Sequence, residues 1–92
     1  MNKNTEPNLN IIEYPCVFPL KAIGRNETNF EAFVVSVIRE HVEFIAAHDV
    51  TSRPSNGDKY LSVTVRFTAE SREQLDCIYQ ALTDSGRILM LL

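Results

Sequence analysis

The period of the hydrophobic pattern changes several times along this chain, and each change marks an element. From Cys16 to Gly24 (CVFPLKAIG), Phe18, Leu20 and Ala22 fall on one side and Pro19 and Lys21 on the other, the period of two of a strand. Proline has no N–H to give to a central ladder, so a local irregularity is expected at Pro19. Thr28 with Glu31 three residues on fits a capping box, in which each side chain satisfies an orphan backbone N–H. Phe30, Phe33, Val34, Val37, Ile38 and His41 then recur at spacings of three and four, predicting a helix whose other face carries Ser36, Arg39, Glu40 and Glu43.

Residues 44–53 read as a strand, and Asn56-Gly57 supplies the residues of a tight hairpin. The second hairpin strand, residues 59–68, alternates Leu61, Val63, Val65 and Phe67 with Ser62, Thr64 and Arg66. One of its faces is in a core and the other is wet. Ser71 with Gln74 opens a second helix that buries Leu75, Ile78, Tyr79 and Leu82, and Gly86 follows near its end. Residues 88–92 are a short apolar run, read as a last strand. Residues 1–10 (MNKNTEPNLN) are polar and read as a flexible N-terminal tail, leaving residues 11–92 as one domain.

The order β-α-β-β-α-β predicts an α+β, ferredoxin-like split βαβ arrangement: a four-stranded antiparallel sheet with two helices on one face. Right-handed crossovers place its strands in the order 4-1-3-2. A chain of 92 residues buries roughly two-thirds of its surface, so its core is thin.

Composition narrows the partners. A net charge of −3 argues against DNA and against an anionic membrane surface, which call for a basic excess. No run reaches the ~18 apolar residues of a membrane span and no apolar segment follows the N-terminus, so the expected location is cytoplasmic. In that setting Cys16 and Cys77 are expected as reduced thiols serving as small apolar residues.

Catalytic patterns are sought with little return. His41, His48, Cys16 and Cys77 show no metal-ligand spacing, and no metal or cofactor is implied. His41 continues the apolar stripe of its helix and suits the helix C-terminus. Cys77 sits beside Ile78 inside the second helix and is read as inert. Cys16 has no nearby base in sequence to activate it. No Gly-rich phosphate loop is present. RNA recognition on this topology uses aromatics from the two central strands, and here Tyr60 stands nearly alone.

The residues that carry a resemblance are IIEYPCVFPLK at 11–21, Gly24, His41, RPS at 53–55, YLSV at 60–63 and EQLDCIY at 73–79. Together they resemble the YbeD-like family of small uncharacterised bacterial proteins, from residue 11 to residue 92. The resemblance implies a ferredoxin-like fold similar to ACT regulatory domains and no established reaction. It also implies a link to lipoate metabolism, because family genes often lie near lipoate-attachment genes.

Two candidate sites follow. Lys21, Arg66, Ser62 and Thr64 share the parity that points away from the helices, beside apolar Val17 and Ile23, while the helix layer opposite is mainly acidic. That mixture suits an acidic protein partner or a small anionic metabolite. In the competing reading, residues 11–14 fold across this face and the cations keep it soluble. The second candidate is the loop of Gly24, Arg25 and Thr28, which matches the position of the ACT ligand loop at a helix N-terminus but lacks its acidic residue and Pro-Gly. The function expected is a non-catalytic regulatory or adaptor domain, with a weak homodimer as a further partner. The alternatives are an enzyme of unrecognised type using Cys16 or His48, and an RNA-binding module.

Overall fold

The computed structural model describes residues 12–92; the expected tail over residues 1–10, and Ile11, lie outside the described residues. The elements are β1 (Cys16–Arg25), α1 (Phe30–Arg39), a 3-10 turn (Ala47–Asp49), β2 (Val50–Pro54), β3 (Tyr60–Ala69), α2 (Arg72–Asp84) and β4 (Ile88–Leu91). The sheet is antiparallel throughout and ordered β2-β3-β1-β4, which is the expected 4-1-3-2 read from the other edge.

Parity along β1 and β3 divides the sheet. Phe18, Leu20, Ala22, Val63, Val65, Phe67 and Ala69 are buried and meet Phe30, Val34, Ile38, Leu75, Ile78 and Leu82 from the helices in one core. Leu61, at the hairpin end of β3, is only half-buried. Among the described residues every fully buried side chain is apolar, so core stability rests on burial at roughly 25 cal/mol per Å² of apolar surface.

Pro19 sits in the central strand without breaking the β1–β3 register, which runs unbroken from Cys16↔Ala69 to Arg25↔Tyr60. The reason is its direction. Lys21 exchanges both backbone bonds with Leu92, at 3.0 and 2.8 Å, so residues of its parity aim their N–H groups toward the β4 side. Pro19 lies one pair further along, where no described strand residue faces it, and its missing N–H leaves no acceptor stranded. The irregularity appears instead between Ile23 and Gly24, where the β1–β4 register shifts around Leu89.

Four local expectations are corrected. Thr28 does not cap α1: Asn29 holds the N-cap position without a side-chain bond to the helix, and Glu31 accepts from the Ser52 hydroxyl at 2.9 Å instead. Residues 44–49 are not strand, because Phe44 is exposed, Ile45 turns into the core and the 3-10 turn precedes Val50. In the hairpin the positive φ angles fall on Gly57 (87°) and Asp58 (62°) rather than on Asn56-Gly57. Cys77 is exposed on α2, not packed as a small apolar residue.

The second helix follows the sequence closely. The Ser71 hydroxyl accepts from the Gln74 N–H at 3.1 Å, and the Gln74 amide accepts from the Glu70 N–H at 2.7 Å. Gln74 also donates to the His41 carbonyl at 2.8 Å, tying α2 to the end of α1. Gly86, with φ of 75°, follows the helix end in the left-handed conformation that a side chain would resist.

Candidate functional site

The open face of the sheet is set by ladder pairing. Residues directly opposite in an antiparallel pair share a face, so Thr51, Thr64 and Lys21 form one row across β2, β3 and β1, and Leu92 extends it. Arg53, Ser62, Ile23 and Met90 form the next row. Arg66 stands opposite Pro19, Thr68 opposite Val17 and Arg25 opposite Tyr60. Lys21, Thr51, Ser52, Arg53, Ser62 and Thr64 line a shallow depression of about 360 Å³.

The predicted constellation is therefore brought together in part. Lys21, Ser62 and Thr64 converge, while Arg66 lines a separate depression of about 320 Å³ with Val17, Phe44, Asp49 and Thr68. Arg53 and Thr51 complete the first depression, and sequence reading missed both. The alternation Thr51-Ser52-Arg53 held the signal, but it becomes readable only once the hairpin register sets Arg53 opposite Ser62.

The charged side chains that the strands carry on this face have one sign. Lys21, Arg25, Arg53 and Arg66 are exposed, and none of the four strands carries a carboxylate. Among the described residues none of these cations forms an ion pair. The reading in which the N-terminal segment covers the face does not hold for its described part. Ile12 and Tyr14 pack against the core instead. Desolvation raises the Tyr14 phenol above its ordinary value of 10.0, Cys16 and the carboxylates Asp76 and Glu73 of α2 add to the rise, and Arg72 opposes it. Those neighbours place Tyr14 on the helix side.

The loop of Gly24, Arg25 and Thr28 is built for packing. A Cβ on Gly24 would lie 2.5 Å from the Phe30 ring and 2.7 Å from the Arg87 carbonyl, so the space above it is taken by the chain itself. Arg25 and Thr28 are exposed. The Arg87 guanidinium donates to Glu27 at 2.9 Å and to the Asn29 amide oxygen at 2.8 Å, and lies 4.4 Å from the Phe33 ring centroid. It staples the entry of β4 to the start of α1, a role no sequence pattern announced.

The enzymatic candidates do not converge. Cys16 is half-buried on β1, and His48 precedes β2 with its imidazole 3.7 Å from Asp49. With β3 between them, two strand spacings, roughly 10 Å, separate the two segments. No group of three or more His, Cys, Asp or Glu side chains that could hold a metal occurs among the described residues. Nor is any described helix long and apolar enough to cross a membrane.

Fold and site together define a small α+β plait with two helices on one sheet face and a cationic surface on the other. Comparisons with known proteins agree with this fold. Residues 10–92 match the model of DUF493, a family described as proteins of unknown function. A UPF0250 protein of Neisseria gonorrhoeae is 40% identical over 87 residues, covering 95% of this chain and 96% of the relative. A UPF0250 protein of Paraburkholderia phytofirmans is 40% identical over 85 residues, covering 92% of this chain and 96% of the relative. The solution structure of HP0495 from H. pylori superposes with a TM-score of 0.70 over 98% of this chain and 91% of that one, at 14% identity. The chain belongs to the DUF493 (UPF0250, YbeD-like) family of small bacterial proteins.

Proposed function

We propose that this chain is a non-catalytic adaptor domain that docks the acidic surface of a partner protein on its open sheet face. The observation that carries the reading is the set Lys21, Arg25, Arg53 and Arg66, in no ion pair among the described residues, on a face whose strands hold no carboxylate. Exposed cations contribute little to folding, so their concentration on one side is not demanded by the core.

Shape favours a macromolecule over a metabolite. Small-molecule sites enclose most of their ligand in a largely apolar pocket, whereas this depression is shallow and lined by hydroxyls and two cations. Stacking of bases is poorly served: Tyr60 is the one aromatic that the strands project onto the open face, and the Lys59 ammonium lies 5.6 Å from its centroid. The hydroxyls of Thr51, Ser62 and Thr64 can donate to carboxylate oxygens held by Lys21 and Arg53.

The test is an amide-shift titration with poly-glutamate and, in parallel, with citrate. Salt-sensitive shifts from poly-glutamate at Lys21, Thr51, Arg53, Ser62 and Thr64, abolished by Lys21→Glu with Arg53→Glu, support the reading. Saturable citrate binding without a response to poly-glutamate replaces the protein partner with a small anionic metabolite. Shifts confined to the helices remove the sheet face from consideration.

A further inference from the structure

We propose that the end of the sheet around Phe44 is a self-association surface that pairs with the same surface of a second copy about a two-fold axis. This inference uses neither Lys21 nor Arg53; Arg66 is the one cation it shares with the adaptor reading.

Phe44 is 76% exposed and Val17 62%, the two largest exposures among the large hydrophobic side chains of the described residues. Both line a depression with Arg66, Thr68 and Asp49, whose carboxylate lies 3.7 Å from the His48 imidazole. On the other side of Phe44 lies a wider hollow of about 830 Å³, whose charged lining residues are Glu40, Glu43 and Glu70, with His41 and Gln74 between them. Phe44 and Thr68 belong to both hollows. Phe44 and Thr68 therefore stand between a hollow with three carboxylates and one that holds Arg66, with Val17 and Asp49 beside it.

That arrangement is self-complementary. An isologous interface must present one patch that fits itself when turned by half a revolution. Rotation about an axis through the Phe44–Val17 patch brings apolar side chains together at the centre. It also places Arg66 of each copy against Glu40, Glu43 and Glu70 of the other. A dry apolar centre inside a charged rim is the usual anatomy of an interface. Complementarity argues for a second copy rather than a foreign acidic partner, because such a partner would meet the three carboxylates as well as the cation. The patch is small beside the ~800 Å² per partner of a standard stable interface, so the dimer is weak and weakens with salt.

The test is sedimentation equilibrium of the full chain from micromolar to millimolar concentration, at low salt and in molar salt. The expected result is a concentration-dependent dimer that salt weakens and that Phe44→Asp weakens by about tenfold or more. Arg66→Glu and Glu43→Arg should each weaken it alone, and an equimolar mixture of the two variants should restore part of the association, since both 66-to-43 cross-pairs are then opposite in sign. Lys21→Glu with Arg53→Glu should leave the dimer intact, which separates this surface from the proposed docking face. A chain that stays monomeric throughout, a dimer indifferent to Phe44→Asp, or a mixture that fails to associate overturns the proposal. Melting curves of the charge variants check that loss of association is not loss of folding.

Discussion

Along β3, neighbouring residues face two different environments. Val63, Val65 and Phe67 are sealed under the helices, while Ser62, Thr64 and Arg66 look outward from the same stretch of backbone. On β1 the contrast repeats between Leu20 and Ala22 inside and Lys21 outside. The inner face admits only residues that fill volume without stranding a polar atom. The outer face faces no such demand, and its composition is free to answer to something other than folding. What it carries is four cations without a strand carboxylate, together with apolar Val17, Ile23 and Met90.

The sharpest way to break this comparison is to cut the inner side. Phe30→Ala removes a fully buried ring that spans from α1 to Gly24. It should cost about 3–5 kcal/mol in chemical denaturation, a large part of the ~5–15 kcal/mol available to a domain. Val65→Ala should cost about 1–4 kcal/mol, while its neighbour Thr64→Ala should change stability by no more than about 0.5 kcal/mol. Equal losses from that adjacent pair would mean that the two faces are not the different environments described here. Gly24→Ala should cost about 1–3 kcal/mol, because the Arg87 carbonyl and the Phe30 ring both obstruct the added methyl.

Lys21→Glu with Arg53→Glu tests the outer side. The melting temperature should move by only a few degrees while poly-glutamate binding disappears. A collapse in melting temperature would assign these cations to the fold. The smallest expected effect belongs to Tyr14, whose folded pKa is raised. The neutral phenol's contribution is fully present below the unfolded value and is lost as pH rises through the higher folded value. Stability should therefore fall with pH above about 10, and Tyr14→Phe should flatten that fall in urea titrations run from neutral to alkaline pH.

Period and capping chemistry in the sequence determined the order of elements, the strand order and nearly the whole core. Alternation on β1 and β3 and the three-four spacing on the helices are local signals that survive into the fold, because burial selects for them position by position. Local signals misled where two partners competed for one group. Glu31 looks like the second half of a capping box, yet Ser52, 21 residues away, takes its carboxylate. Residues 44–49 look extended but turn, since Ile45 has to reach the core before β2 begins.

The candidate site divides the same way. Parity alone placed Lys21, Ser62, Thr64 and Arg66 on the open face. Only the pairing of β2 with β3 joined Arg53 to Lys21 and left Arg66 beside Phe44. Likewise, only packing against the core drew Tyr14 away from the open sheet face. Alternation tells which way a side chain points, because it depends on the backbone of its own strand. Which distant side chain it meets depends on register and on what fills the space between, and both exist only once the sheet has formed.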